Sequence, residues 1–478
     1  MKTHNRIAFL MMMCLPACAA AAGPWFGIRV VDEESGDGVP LAELRMVNEV
    51  AFLTDNAGRI AFHEPAFMER EVFFHVASPG YEYAKDGFDF RGVRLTPKAG
   101  TEATVKLRRV NIAGRVARLT GAALYRDSEL LGAPVPLPNS MDVLGQDSVQ
   151  GVRYNGRLFF LWGDTNVARY PLGNFRTTSA WLPGDAHPSR GLAYEYLMEP
   201  GKAGELRKML PLDGKGAAWM FGLHALPGDG GRDVLLSGFS VHASLAERTR
   251  QGIARFDNAA GIFFVATDVD NAETWRFPRG VAVRHGGHVY FAAPLLHTRV
   301  AATVADFVNP KSYEAYWFDA AANEWRWQRE HAPTMQSDQV PAEHARFALK
   351  NAGGAEVRMH TASVKWNAWR KCWVLIGVQS GGKGDPSVLG EVWYAESASP
   401  EGPWRNAVKV ATHPRYSFYN PVHHDFFDSD GGRVIWFEGT YTREFSGNPV
   451  ATPRYDYNQL MYRLDLADPR LAPAHATP

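Results

Sequence analysis

Five times along the chain a turn with one or more glycines, or an Asn-led turn, leads straight into an apolar run. The segments are residues 154–162 (YNGRLFFLW), 228–237 (GDGGRDVLLS), 285–292 (HGGHVYFA), 367–376 (NAWRKCWVLI) and 430–437 (DGGRVIWF). Each reads as a hairpin signal entering a buried strand. A second hairpin signal follows each one, at residues 179–185, 254–261, 316–325, 393–404 and 461–468. Two hairpins make a four-stranded sheet, which cannot bury both faces alone; a ring of such sheets can. Residues 116–470 are therefore predicted to form a five-bladed β-propeller, and the chain as a whole is predicted to be all-β. The repeats are unevenly spaced, so long loops decorate the blades, where a binding face is built.

Ahead of the ring, residues 25–110 alternate strand-like segments with turn-rich ones and predict a small β-sandwich. The order VDEESGDGVPL, then TDNAGR, then SPGY resembles the carboxypeptidase-regulatory-like, transthyretin-type module. That resemblance implies an accessory role without chemistry of its own. Residues 1–22 read as an export signal: Lys2 and Arg6, an apolar run, then small residues. Ala20-x-Ala22 suits ordinary cleavage and a secreted or periplasmic protein. The alternative is an imperfect lipobox ending at Cys18, which would make an outer-membrane lipoprotein. Beyond the signal only Cys372 remains, or Cys18 as well if it is lipidated, so no disulfide framework is expected. Fifty-one basic residues balance 51 acidic ones. Net charge therefore advertises no nucleic-acid partner, and no later segment is expected to span a membrane.

In a propeller the ends of the inner strands open on the central funnel, so the polar residues flanking the repeats carry the chemical interest. Blade one reads GQDSVQGVRYNGRLFFLWGDTN over residues 145–166. It places Asp147 and Asp164 on either side of one hairpin. Two close carboxylates push their pKa values apart and supply an acid and a base at one pH. The plainer reading is that Asp164 ends a strand and Asp147 bonds a turn.

The GxDS…GxLFFLWGDT pattern is similar to the opening motif of a family of bacterial five-bladed propeller proteins, some of which are endo-acting D-arabinan hydrolases. WYAESASPEGPW (393–404) and FYNPVHHD (418–425) resemble the outer-blade and last-blade motifs of arabinanase-type propeller glycosidases. The resemblance implies that Asp147 and Asp164 are the catalytic pair. It also calls for acids from later blades; Glu391 and Asp338 are the candidates. Trp162, Asn166 and Tyr419 are expected to contact sugar, Trp162 and Tyr419 as a stacking platform. His224, His360, His423 and His424 each precede a strand repeat and are expected to converge on the axis, with Arg415 beside them. Glu438 is expected to hold in blade five the place that Asp164 holds in blade one. No histidine spacing suits a metal. No cofactor is expected, with a structural Ca²⁺ at the axis left open.

Three functions fit these residues. One is a glycoside hydrolase acting on a polysaccharide or oligosaccharide, arabinan-like furanosides first. Another is a polysaccharide lyase using Arg415 with Tyr416 or His423. The third is a carbohydrate-binding protein that has lost its chemistry.

Overall fold

The computed structural model describes residues 23–136, 143–168, 177–202, 204–214, 216–334, 340–346, 349–381 and 388–475. Residues 1–22, where an export signal is expected, with Cys18, and Asp338 lie outside them.

The first part of the chain folds into two four-stranded sheets. Phe26–Asp32 is the pivot of one, pairing antiparallel with Arg59–Phe62 and parallel with Glu102–Arg109. The other is ordered Ala51–Leu53, Glu43–Met46, Val72–Ala77, Gly92–Leu95. Alternate side chains of both sheets turn inward, as the two-residue period of a strand dictates. Ile28, Val30, Leu44, Ile60, Phe74 and Val105 meet in one core.

Five further sheets of four or five strands follow, each wound outward from its first strand, with a small two-stranded one formed by Val143–Gln146 and Thr165–Val167. These innermost strands are Gln150–Tyr154, Ala217–Pro227, Val281–His285, Met359–Asn367 and Ser417–His423. Each of the first four packs against the next, and hydrogen bonds from blade five to Ser148 and Asp147 close the circle onto blade one. The predicted five-bladed propeller is thus the observed one, but the apolar runs are not its inner strands. Arg157–Trp162 and Val434–Thr442 are the second strands of their blades. The physical reason is coverage. A second strand is flanked within its sheet and capped by a neighbouring blade on each face, so nearly every position is buried, as in Val434–Thr442. The inner strand borders the funnel and keeps polar residues.

Blade three adds a fifth strand, Glu324–Gln328. Blade five lacks an outermost strand of its own: Asn458–Asp465 instead pairs with Gly114–Arg118, from the start of the ring region. The segment after Asp465 therefore makes no hairpin, contrary to the pattern at 461–468. The same closing strand is tied to the sandwich. Arg115 donates to the carbonyls of Pro40 and Pro79, at 3.0 Å each, and to Ser78 Oγ at 2.6 Å. Asn56 brackets the backbone N–H and carbonyl of Arg118 at 2.9 Å on both sides. Cys372 is buried in a blade-four strand, where burial first and then Glu396 push its thiol up to about 12. That leaves it unreactive.

Candidate active site

Asp147 sits in the bend just before the inner strand of blade one, and Asp164 just after the second strand returns. The hairpin therefore delivers both to one place. The Asp164 N–H donates to Asp147 Oδ1 at 3.0 Å, and the two backbones bond each other through Asp147 N–H to Asp164 O and Gly163 N–H to Asp147 O. Gly163 makes this closeness workable, because a Cβ there would lie 2.2 Å from Asp147 Oδ1.

The two carboxyls have different surroundings. Asp147 Oδ2 accepts from Tyr419 Oη at 2.8 Å and from Tyr457 Oη at 2.5 Å, and the two phenol oxygens are themselves 2.5 Å apart. Burial raises the Asp147 pKa against the downward pull of these donors. Among the described residues the Asp164 carboxyl accepts only the indole N–H of Trp219, at 3.1 Å on Oδ1. Burial first, then the neighbouring Asp147, lift it to about 6. Trp219 is half-buried at the start of the blade-two inner strand, packed 4.5 Å from the His242 ring. Phe445 lies on the blade-five loop, 56% exposed, with its ring edge-on to Tyr419 at 5.4 Å.

Backbone strain gathers here. Ser148, Asn420, Phe445 and Tyr457 all have φ between 52° and 72°, a region that side-chain-bearing residues enter at a cost and that is over-represented at functional sites. Asn420 Nδ2 donates to Ser148 Oγ at 2.8 Å, tying two of these positions together.

Other sequence candidates lie elsewhere or play other parts. Glu391 is buried at the start of the third strand of blade four, not an inner one, held by Thr412 at 2.5 Å and Lys409 at 2.8 Å. Trp162 is 2% exposed and stacked on Phe160 at 5.6 Å, a core residue and no platform. Tyr419 is also buried; its hydroxyl serves Asp147, and its ring offers no face to a sugar. His423 is sealed against Asp428 at 2.8 Å, and His424 against Glu438 at 2.9 Å. Glu438 falls mid-strand, because its strand runs on to Thr442, so it does not match Asp164. His224 is pushed down to about 3 by burial, helped by Lys365 and Arg284, and stays neutral. His360 and Arg415 are exposed, and Asn166 is partly buried in a short strand beside the pair. Among the described residues no group of three or more His, Cys, Asp or Glu could hold a metal ion, and no helix is long and apolar enough to cross a membrane.

No protein-family model matches the sequence, and no curated protein matches it. Solved structures with a distant likeness include three glycosidases. An alpha-L-arabinanase mutant from Cellvibrio cellulosa shares 8% identity over 67% of this chain and 91% of its own, with a TM-score of 0.38. An exo-1,5-alpha-L-arabinanase from a bovine ruminal metagenomic library shares 10% over 67% and 93%, with a TM-score of 0.35. An exo-beta-1,3-galactanase from Phanerochaete chrysosporium shares 8% over 68% and 61%, with a TM-score of 0.34. The chain thus spans less than two thirds of that last enzyme. The chemistry of the site stands on its own geometry.

Proposed function

We propose that the protein is a glycoside hydrolase that works outside the cytoplasm, with Asp147 and Asp164 as its acid and base. The observation that carries this reading is the pair itself: two carboxyls bonded through one backbone, both raised by burial, one presenting an oxygen without a protein donor. Carboxyls so coupled hold one proton between them over a range of pH, which is what glycosidic cleavage needs. The strained backbone around them supports a site whose geometry is maintained for function. A sugar polymer would meet Trp219 and Phe445 as flanking aromatic surfaces. Arabinan-like furanosides remain the first substrates to try, on the strength of the sequence motifs.

The lyase reading loses His423, which is sealed, while Arg415 is exposed and Tyr416 donates its hydroxyl to the carbonyl of Ala451 at 3.3 Å. A hydrolase test uses the purified mature protein on arabinans, arabinogalactans and uronic-acid polymers, scored for new reducing ends and for unsaturated uronides. Reducing ends alone are expected. Asp147→Asn and Asp164→Asn should each lower the rate by about 10²–10⁴. Activity indifferent to both substitutions would sink the reading.

A further inference from the structure

We propose that the funnel rim beside the carboxylate pair holds a binding site for an anionic group of the substrate, formed by Arg248 and Arg279 at the junction of blades two and three. The glycan cut here is then an acidic one, carrying a uronic-acid carboxylate or a phosphate ester near the bond that is broken. The inference rests on the hydrolase reading above and adds the substrate class to it.

The two arginines come from different blades. Arg248 lies at the start of the third strand of blade two, Glu247–Asp257, and the register sets it opposite His242 on the second strand. Directly opposed residues of antiparallel strands share a face. On this side of the blade the His242 ring packs 4.5 Å from that of Trp219, whose indole N–H reaches Asp164. Arg279 stands just before the inner strand of blade three, Val281–His285. Its segment is pressed onto blade two, since the Gly222 N–H donates to the Gly280 carbonyl at 2.7 Å. Both guanidiniums are anchored on one loop: Arg248 Nη2 donates to the Asn271 carbonyl and Arg279 Nη1 to that of Thr274, each at 3.1 Å. A line of neighbours thus runs from Asp164 through Trp219 and His242 to two guanidiniums.

The acids of this corner are engaged elsewhere. Asp268 holds Arg250 through both oxygens, at 2.6 and 3.0 Å, and Glu273 holds Arg276 at 3.0 Å. Asp270 accepts the Ala272 amide at 2.9 Å, and Glu247 is exposed on the hairpin opposite Ser244. Among the described residues neither Arg248 nor Arg279 has a carboxylate within ion-pair distance. A fully solvated arginine needs none, but these two are not fully solvated. The Nε of Arg248 is shut from solvent with no acceptor among the described residues. Burial, then Arg248, pull the Arg279 pKa below its ordinary value. Two like charges partly stripped of water, with no counter-charge beside them, are stabilised by an incoming anion. A carboxylate or a phosphate suits them, because a planar guanidinium offers parallel donors to two oxygens. A neutral sugar hydroxyl would leave both charges uncompensated.

Affinity reads the site apart from turnover. Isothermal titration calorimetry of the full chain carrying Asp164→Asn, which prevents cleavage, compares three probes. They are arabinogalactan oligosaccharides bearing uronic acid, the same oligosaccharides with that carboxyl reduced to an alcohol, and the reduced form phosphorylated at that alcohol. At least one acidic probe should bind about ten-fold more tightly than the reduced one, and the probe that does so names the group. Arg279→Gln should close most of that gap. Arg248→Gln should do the same, and it keeps the test alive should the first variant fold poorly. Equal affinity for all three probes would overturn the proposal. So would a preference for the acidic probes that survives in both glutamine variants, since it would belong to another part of the surface. Reducing-end release separates the two levels. Release that survives Asp147→Asn and Asp164→Asn refutes the catalytic pair and leaves an anion preference standing. Release lost in both, with no preference for the acidic probes, refutes the anion site and leaves the pair standing.

Discussion

If Asp164 is held unfavourably as a carboxylate, replacing it should make the protein more stable at high pH and leave it unchanged at low pH. The structure sets the size. Burial first, then Asp147, raise the Asp164 pKa from an ordinary 3.8 to about 6. One pKa unit is worth about 1.4 kcal/mol, so the ionised side chain costs the fold up to about 3 kcal/mol. The sign follows from the direction. A raised carboxyl contributes fully below its unfolded pKa, near 4, and loses that contribution as pH climbs through about 6. Asp164→Asn has the same shape, is neutral throughout, and keeps an oxygen for the Trp219 indole. Urea unfolding of both proteins at pH 4, 5, 6, 7 and 8, followed by tryptophan fluorescence, gives the difference directly. It should be close to zero at pH 4, and by pH 8 it should favour the variant by about 2–3 kcal/mol. A flat difference, or a variant weaker at pH 8, would refute the claim that burial drives the shift.

Other substitutions test other parts of the site. Gly163→Ala should cut activity by about 10²-fold or more while leaving the circular dichroism intact, because the new methyl lands on Asp147 Oδ1. Trp219→Phe removes the one donor to Asp164, so that carboxyl should titrate at higher pH and the acid limb of the rate profile should move up with it. Phe445→Ala should raise KM several-fold with little change in kcat if the exposed ring only stacks on sugar. Arg115→Met strips three acceptors of their donor at the join between sandwich and ring and should lower stability by about 2–4 kcal/mol in chemical denaturation, with no effect on KM.

The five-blade count was legible because the second strands announce themselves. A strand covered on both faces carries a long apolar run, as Arg157–Trp162 does after its first residue and Val434–Thr442 does in its first half. The same signal misleads about position. Inner strands such as Gln150–Tyr154 are mixed in composition, because one side meets the funnel, and they leave little trace. The carboxylate pair could be seen since one hairpin carries both members. Trp219 and Tyr457 could not, for they reach the pair from another blade and from a loop with no periodic pattern, and Phe445 could not, for it meets the site only through the Tyr419 ring. Trp162 shows the converse error. Its type and its nearness to Asp164 suggested a sugar surface, whereas the strand's alternation turns it into the packed space between blades one and five. The histidines likewise share a sequence position, but His423 and His424 are consumed by local acids, Asp428 and Glu438.

The clasp of the ring has a consequence for the order of events during synthesis. Gly114–Arg118 leaves the ribosome early, yet its partner Asn458–Asp465 is the last strand made. Throughout the making of four blades it is an unpaired edge, the kind of strand that invites pairing with a wrong chain. The sandwich is complete by then, and it already grips this segment through Pro40, Asn56, Ser78 and Pro79. The small module is thus placed to keep this one strand extended and in register until its mate arrives. Separating the two parts at residue 110 would remove that grip as well as an accessory domain, and the yield of closed rings should fall before any loss of catalysis per folded molecule is seen.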